Sequence, residues 1–289
     1  MPISTAVSLQ AEQLLEEFER AEAILVGAGA GMSASAGIAY SGERFERLFP
    51  DFIEKYHIKD MYSGGFYRFA SLEEHWAWWS RHVLHNRYEM PYREPYHILR
   101  ELLEGREYFV LTSNVDHSFQ LSGFDKARLF YMQGDYGLWQ CSVPCHEQTY
   151  DNEERIREMV ARQKDMRVPS ELVPYCPRCG KPMSMNLHAD DSFVQDEGWH
   201  EAAGRYMAFR RKHSTGRVLY LELGVGGNTP GIIKYPFWEM TLRNPEARFV
   251  SISLQKWSVP REIADRSLCM EADICEVLRA VKALRENRV

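Results

Sequence analysis

The chain has 289 residues, 45% of them hydrophobic, and a formal net charge of -6 at pH 7. This length suits one large domain with an insertion or two modest domains, and the hydrophobic content allows a sizeable core. The sequence has no polybasic run, which argues against a nucleic-acid partner. No apolar run approaches the roughly 20 residues of a membrane helix, and the first residues lack the pattern of a signal segment. We therefore expect a cytoplasmic protein without a membrane partner.

Short apolar segments alternate with amphipathic helices along the chain. Each predicted strand ends in polar or glycine residues, which is typical of a parallel α/β sheet whose site lies at the carboxyl ends of its strands. The predicted strands are 23–26, 108–112, 129–132, 218–223, 248–253 and 267–270, and the predicted helices are 8–22, 72–88, 94–104, 152–164, 200–213, 238–243 and 273–287.

An aromatic-rich segment lies between the first two strands and contains Trp76, Trp78 and Trp79. It is too polar for a central strand and indicates a helical insertion or lid. Its aromatic side chains either form a satellite core or present a docking face to a partner.

The first strand runs into a glycine-rich turn that contains Gly27, Gly29 and Gly31 and continues as small residues up to Gly37. A strand, a glycine turn and a helix form a site for a diphosphate, because glycines let backbone N–H groups approach phosphates and a helix N-terminus favours negative charge. Segment 29–34 also fits G-x-G-x-x-A, which is a weak signal by itself. The alternative is a tight turn that binds no ligand.

Four of the six cysteines form two pairs, Cys141 with Cys145 and Cys176 with Cys179. The second pair has the C-x-x-C spacing that aims two sulfurs at one ion, and four thiolates would make a closed, structural zinc site. The first pair is spaced by three residues, and about 30 residues separate the pairs, more than the usual 15 to 20. The predicted helix 152–164 accommodates that length. Reduced structural cysteines without zinc are the alternative.

Taken together, these motifs resemble the sirtuin family. Residues 29–33 match its GAGxS motif, and residues 112–116, Thr-Ser-Asn-Val-Asp, resemble its TQNxD motif. Residues 224–230 resemble its GTSL segment, residues 253–255 its later ribose-contacting loop, and residues 271–274 its final loop at the adenine. The two cysteine pairs match its zinc module. The motifs follow the family's order, which makes the resemblance more specific than any single motif.

The resemblance implies a Rossmann-like parallel sheet that binds NAD⁺, with an inserted smaller zinc-binding and helical domain. On this chain, residues 1–39, 93–137 and 215–289 would form the NAD-binding domain. Residues 40–92, a helical insertion or lid, and residues 138–214, a zinc-binding module, would form the smaller domain. The reaction site would lie in the cleft between the two.

The resemblance also implies which residues contact NAD⁺. Asn114 would contact a ribose hydroxyl or an ordered water, and Asp116 would orient the nicotinamide amide; alternatively, both only cap the following helix. Arg44 would meet phosphate and Phe45 would stack near nicotinamide, unless this segment is an ordinary salt-bridged surface loop. The candidate NAD-binding residues are Gly29, Ala30, Gly31, Ser33, Ala34, Gly37, Tyr40, Arg44, Phe45, Ser113, Asn114, Asp116, Gln133, Gly224, Val225, Gly226, Asn228, Thr229, Ser253, Leu254, Gln255, Asp273 and Ile274.

Two departures from the family pattern bear on the reaction. The usual Pro-Asp-Phe-Arg is replaced by the segment 39–45, and the usual His-Gly after the third strand is replaced by Gln133-Gly134. The chain thereby resembles the macrodomain-linked sirtuins of microbes, a group associated with protein ADP-ribosylation. That resemblance implies a lipoyl-carrying, glycine-cleavage H-like protein as the target, and an operon-linked macrodomain hydrolase as a further partner.

Gln133 favours ADP-ribosyl transfer over deacylation. Deacylation needs a base that activates a ribose hydroxyl, and an amide cannot take up that proton at pH 7. ADP-ribosyl transfer ends once the acceptor bonds to the ribose C1′, so it does not need this second base. Asn114, Asp116 and Gln133 are the candidate catalytic residues, and a carboxylate, a guanidinium or a thiol on the target remains open as acceptor.

Two alternatives remain open at this point. One is a lysine deacylase that uses another base, for which His117 and His188 are the candidates. The other is a sensor that binds NAD⁺ or ADP-ribose without turnover.

Overall fold

The computed structural model describes residues 5–227 and 230–288. Within these ranges the strands form one parallel sheet and one small antiparallel sheet. In chain order the strands are β1 (Ala23–Ala28), β2 (Tyr108–Thr112), β3 (Leu129–Tyr131), β4 (Gly134–Cys141), β5 (Tyr150–Asp151), β6 (Met183–Leu187), β7 (Val218–Leu223), β8 (Arg248–Ser253) and β9 (Ser267–Glu271).

Helices cover both faces of the larger sheet and most of the smaller unit. A π-helix, Leu84–Tyr88, continues directly from the sixth α-helix. In chain order the α-helices are α1 (Thr5–Arg20), α2 (Ala30–Ser35), α3 (Glu43–Leu48), α4 (Pro50–Tyr56), α5 (Met61–Gly65), α6 (Leu72–Val83), α7 (Glu94–Leu102), α8 (Ser118–Leu121), α9 (Glu153–Arg162), α10 (Glu197–Lys212), α11 (Lys234–Arg243) and α12 (Ile274–Glu286).

The parallel sheet has six strands in the order β3-β2-β1-β7-β8-β9. The predicted Rossmann-like sheet is thus confirmed, with strands at all six expected places. Strand order reverses between β1 and β7, and ligands of such sheets bind at this point, beyond the carboxyl ends of the strands.

Two apolar cores sandwich the parallel sheet. Leu219, Leu221 and Leu223 of β7 point into the core shared with α1, α7 and α12, whereas Val218 and Tyr220 point into the core shared with α10 and α11. This alternation explains why every residue of β7 except Glu222 is apolar: both faces of the strand are covered.

The smaller unit has its own core, built mainly from aromatic side chains. Trp76 and Trp78 of α6 are fully buried, together with Phe49 and Phe52. Phe49 and Trp78 lie 4.5 Å apart between ring centroids. The tryptophans of the aromatic-rich segment therefore belong to a satellite core.

The cysteine-rich region contains regular structure that the sequence did not indicate. β4 and β6 pair antiparallel, with β5 on the other edge of β4, and the register shifts between Gly134 and Trp139. The sequence pattern from residue 138 to about 187 is irregular apart from the predicted helix 152–164, and it did not indicate these strands. A strand as short as β5 gives little periodic signal, and so does a strand whose apolar and polar residues do not alternate regularly.

Helix α10 falls within the expected zinc-binding segment 138–214 but packs elsewhere. Its Ala202, Tyr206 and Phe209 belong to the core on the parallel sheet. We therefore propose that the zinc-binding module ends before α10. None of the helices within the described ranges has both the length and the apolar character that a membrane span requires.

Candidate functional site

The turn after β1 packs against the turn after β7, where the strand order reverses. The Gly31 N–H donates to the Gly224 carbonyl at 2.9 Å, and the Gly29 N–H donates to the Leu223 carbonyl at 2.9 Å. A Cβ atom on Gly31 would lie 2.6 Å from the Gly224 Cα. We expected these glycine N–H groups to approach phosphates; instead, the structure uses both to join two backbone turns, and the glycines permit that close approach.

The outer side of these turns is open to solvent. Gly37 adopts φ 82 and ends α2, with its N–H donating to the Ala34 carbonyl at 2.9 Å. Several candidate NAD-binding residues in this part of the chain are exposed to solvent. The exposed ones are Ala30, Ala34, Gly37, Gly226, Leu254 and Gln255.

Ser33 lies at the centre of a hydrogen-bond network that joins α2 to the loop after β2. Its hydroxyl donates to Asp116 Oδ2, and it lies 2.8 Å from the Tyr96 hydroxyl and 3.0 Å from Asn114 Nδ2. Asn114 Nδ2 also donates to the Gly29 carbonyl at 2.9 Å. When Asp116 is ionised, the single Ser33 proton serves Asp116, so Tyr96 and Asn114 both donate to Ser33. The structure thus brings the predicted Ser33, Asn114 and Asp116 together.

Asp116 is almost fully buried, with 3% of its surface exposed. Burial raises the pKa of Asp116 above its usual range, and the nearby Asp135 carboxylate adds to that shift. Hydrogen bonds from Ser33 and from the Ser118 N–H act in the opposite direction. Buried acids with perturbed pKa values cluster at functional sites, which makes Asp116 a candidate site residue on physical grounds as well.

A pair of tyrosines lies next to this network. The Tyr40 and Tyr136 hydroxyl oxygens are 2.8 Å apart, and the Tyr136 N–H donates to the Val115 carbonyl at 2.9 Å. Burial raises the pKa of both phenols, and the Asp116 charge raises each further. Both phenols therefore stay neutral at physiological pH, and one donates to the other.

Gln133 comes directly before β4 and is partly exposed. Its chain segment runs beside the loop that carries Asn114, since the Met132 N–H donates to the Thr112 carbonyl at 3.3 Å. The Gln133 carbonyl accepts from the His188 N–H at 3.0 Å. The structure therefore brings the segment of Gln133 to the same edge of the sheet as Asn114.

The two histidines considered as alternative bases have different surroundings. His117 Nδ1 bonds to Asp135 Oδ2. The exposed His188 ring stacks on Phe193, with centroids 4.7 Å apart and the rings 8° from parallel.

Phe45 does not take the position expected of an NAD contact, and Arg44 is bound by acceptors of its own chain. Phe45 is 2% exposed and packs on Phe49 in the aromatic core, so its ring is not free to stack on nicotinamide. Arg44 donates to Asn86 Oδ1 at 2.9 Å and to the His85 carbonyl at 2.7 Å. That carbonyl lies near the end of the π-helix, where carbonyls have no N–H partner within the helix. These bonds anchor the segment, and Arg44 makes no salt bridge within the described residues, so the segment is not a salt-bridged surface loop. The contact of Arg44 with phosphate stays a prediction.

Other candidate residues differ in how much of them a ligand can reach. The side chains of Val225 and Ile274 lie in the two cores of the parallel sheet, which leaves only their backbone for a ligand. Ser253 Oγ accepts from the Gln255 N–H at 3.1 Å, and Asp273 caps α12 by accepting from the Glu276 N–H at 3.1 Å. Asn228 and Thr229 lie outside the described residues.

The four clustered cysteines come together at the far end of the small sheet. Their Sγ atoms all lie within 4.8 Å of one another, with Cys141 and Cys179 at 3.5 Å and Cys145 and Cys176 at 3.7 Å. A tetrahedral zinc site with Zn–S bonds of about 2.3 Å requires sulfur separations of about 3.8 Å. The donor set and its spacing therefore fit a closed zinc site.

His146 connects this cluster to its surroundings. Its Nδ1 lies 3.0 Å from Cys145 Sγ, and its Nε2 lies 2.7 Å from the Tyr150 hydroxyl. A thiolate only accepts, so when Cys145 is deprotonated the ring proton of His146 resides on Nδ1 and donates to the sulfur. Such outer-sphere bonds orient metal ligands and tune their charge.

Comparison with known proteins places the chain. It is 41% identical, over 96% of its length and 88% of the relative's, to a protein ADP-ribosyltransferase of Staphylococcus aureus. Solved structures of Sir2 enzymes share its fold: one bound to a propionylated peptide has a TM-score of 0.58 at 20% identity, over 96% of this chain and 98% of that one. The chain belongs to the sirtuin family.

Two further comparisons add to this assignment. The sirtuin is 32% identical, over 90% of its own length, to a probable bifunctional ADP-ribose hydrolase/ADP-ribosyltransferase of Fusarium oxysporum, but it spans only 45% of that relative. A Sir2–p53 peptide–NAD⁺ structure matches at a TM-score of 0.55 and 18% identity, over 96% of this chain and 98% of that one. No protein-family model matches the sequence.

Several site residues of this sirtuin were not identified from its sequence. Tyr96 reaches Ser33 across 63 residues, and no local pattern marks it. Tyr136 meets Tyr40 across 96 residues in the same way. Asp135 directly follows Gln133-Gly134, where the sequence departs from the usual His-Gly of the family. That position was the signal that could have identified Asp135.

Proposed function

We propose that this sirtuin is an NAD⁺-dependent protein ADP-ribosyltransferase, which releases nicotinamide and attaches ADP-ribose to a protein side chain. The observation that carries this proposal is Gln133, an amide beside the Asn114 loop where deacylation requires a base. The name of the 41% identical relative from Staphylococcus aureus supports the same reaction.

Each site residue has a proposed task. When bound, NAD⁺ supplies an electrophilic ribose C1′ with nicotinamide as its leaving group. Asp116 orients the nicotinamide amide, and the buried network around Ser33 holds that carboxyl in place. Asn114 contacts the ribose or a water on it, while Gln133 positions the sugar through hydrogen bonds and accepts no proton. The open side of the turns after β1, β7 and β8 accommodates the rest of the dinucleotide.

The four cysteines are proposed to hold a structural zinc ion. Their four-sulfur set leaves no open coordination position, so the ion would stabilise the small domain and take no part in the reaction. Such a thiolate cluster needs a reducing compartment, and we therefore propose a cytoplasmic location.

The proposed target is a lipoyl-carrying, glycine-cleavage H-like protein. This part rests on the sequence resemblance, and the acceptor group is a carboxylate, a guanidinium or a thiol. A macrodomain hydrolase that removes the modification is a proposed second partner. The Fusarium relative supports that pairing, because its name joins an ADP-ribose hydrolase to an ADP-ribosyltransferase.

The deciding experiment incubates the protein with NAD⁺ labelled in its adenylate and with a glycine-cleavage H-like carrier, lipoylated or not. We expect one ADP-ribose added to the lipoylated carrier by intact-mass measurement, with release of an equal amount of nicotinamide. Asn114→Ala and Gln133→Ala should reduce the label, whereas Gln148→Ala, an exposed glutamine on the cysteine module, should not.

Other results would support the other activities. Release of O-acyl-ADP-ribose from an acyl-lysine peptide, without label on the carrier, would establish a deacylase. Tight NAD⁺ binding without any nicotinamide release would establish a sensor. Label transfer that is unchanged in both site variants would contradict the assigned site.

A further inference from the structure

His117 has an unusual backbone conformation directly beside the candidate site. It follows Asp116 and adopts φ 64, in the left-handed region that residues other than glycine rarely adopt. Residues in such conformations cluster at functional sites, where the surroundings hold them. The contacts of the His117 side chain therefore need an explanation.

The His117 ring is held by a buried carboxylate from another segment. Its Nδ1 bonds to Asp135 Oδ2, and the Asp135 side chain is 5% exposed. The other oxygen, Oδ1, accepts from Arg87 Nε at 2.8 Å and from the Gly137 N–H at 2.7 Å. Since an ionised carboxylate only accepts, the His117 proton resides on Nδ1 and donates to Asp135.

Asp135 is kept ionised by these partners. Burial alone would raise its pKa, but the bonds and charges of His117 and Arg87 outweigh burial and lower it below the usual range. A charged carboxylate with both oxygens engaged makes strong, short hydrogen bonds. The geometry of the three side chains is therefore well defined.

This unit joins three segments that carry or adjoin the site. His117 belongs to the loop of Asn114 and Asp116, whereas Asp135 is two residues after Gln133 in the same extended segment. Arg87 lies on the π-helix of the smaller unit. The unit is thus a side-chain connection between the loop after β2 and the start of β4.

We propose that His117, Asp135 and Arg87 form a positioning unit that sets the Asn114–Asp116 loop relative to Gln133 during nicotinamide release. The inference rests on the proposed function for the roles of those residues. His117 acts through its neighbours and is a positioning residue. A displacement of about 1 Å in such a site costs on the order of 100-fold in rate.

The test replaces His117 in two ways that both suit its backbone. His117→Gly keeps the left-handed conformation without strain but removes the imidazole, and His117→Asn tolerates that conformation and keeps an N–H donor. We expect kcat for nicotinamide release to fall about 10- to 100-fold in His117→Gly, with the Kd for NAD⁺ changed less than threefold. His117→Asn should recover most of the loss.

His57 provides a matched control. It is a second histidine with positive φ, at 56, and its side chain is exposed at the end of α4. His57→Gly should leave kcat unchanged. The double variant His117→Gly with Asp135→Asn should lose no more activity than the worse single variant, because residues that act as one unit are not additive.

Hydrogen exchange at residues 113–118 gives a readout that is independent of turnover. Faster exchange at these residues in His117→Gly, at an unchanged melting temperature, would support the positioning unit even if no carrier protein is modified. In that case only the proposed function would fail. Wild-type kcat in His117→Gly with an active carrier would overturn the positioning unit alone. Equal losses in His117→Gly and His57→Gly would do the same.

Discussion

Gly31 and Gly224 pack backbone against backbone, 193 residues apart in the chain. Their contact joins the turns after the two central strands, β1 and β7, and so defines the bottom of the candidate nucleotide site. A side chain on either residue would push these turns apart, so a substitution of either glycine tests the contact.

Gly31→Ala is expected to destabilise the protein. Its new Cβ would meet the backbone of Gly224, which has no flexible end to move aside. We expect a loss of about 1–3 kcal/mol in the free energy of unfolding, measured by urea titration. Gly204→Ala on α10 is the control, because its Cβ meets nothing within 4 Å and alanine favours a helix. Equal stability of Gly31→Ala and wild type would contradict the close packing.

Lys234 and Glu222 form a buried ion pair whose partners should depend on each other. Lys234 is 1% exposed and Glu222 is not exposed at all, and Ser251 Oγ donates to Glu222 Oε1 at 2.8 Å. Lys234→Met leaves a buried carboxylate without its cation, for an expected loss of about 3–5 kcal/mol. The double variant Lys234→Met with Glu222→Met should lose less than Lys234→Met alone. Denaturant titration of the wild type, of Lys234→Met, of Glu222→Met and of the double variant checks this. Strictly additive losses would contradict the coupling.

His82 is expected to make the protein sensitive to acid. Its ring is 1% exposed, packs edge-on against Tyr136 at 4.9 Å, and neither ring nitrogen has a hydrogen-bond partner in the described part of the chain. Burial, with help from the Arg44 and His85 charges, lowers the pKa of His82 to about 3. The unfolded chain therefore binds this proton near pH 6.5 while the folded chain does not, so stability falls as pH drops below 6.5.

His82→Phe tests that dependence. Between pH 7 and pH 5 the wild type should lose about 2 kcal/mol through His82 alone, and the variant should lose that much less. Urea titrations at both pH values measure the difference. Parallel losses in the two proteins would mean that His82 is protonated in the folded state.

His146 is expected to slow the loss of zinc. Its N–H to Cys145 Sγ stabilises the thiolate, so His146→Ala should weaken zinc retention by about 10- to 100-fold against a competing chelator. His200→Ala, an exposed histidine on α10, is the control. About one zinc per chain by metal analysis is expected in the wild type. A purified, folded protein without zinc would contradict the site itself.

Much of the fold was predictable because its signals are local. β2, β7 and β8 begin and end at the predicted residues, because apolar residues dominate β2 and β7 and because β8 carries Phe249, Val250 and Ile252. The four cysteines were also predictable, because thiol spacing is directly visible in the sequence. Helix ends shifted by a few residues, as at α11, which begins at Lys234 rather than at residue 238.

What was not predictable depends on contacts between distant segments. Phe45 carries nothing in its local pattern to show that it would enter the aromatic core rather than approach a ligand. Tyr96 and Asp135 reach the site through side chains whose partners lie in other elements. The small antiparallel sheet was missed because β5 has two residues and β4 carries a register shift.

The position of β4 has a consequence for the role of the metal. This strand begins directly after Gln133 and ends at Cys141, so the two residues stand at opposite ends of one extended segment. At about 3.3 Å per residue, the chain between Gln133 and Cys141 spans at most roughly 25 Å. Removal of the zinc should therefore affect the reaction centre indirectly, through loss of order in β4. Gln133 should be displaced before the other residues of the centre.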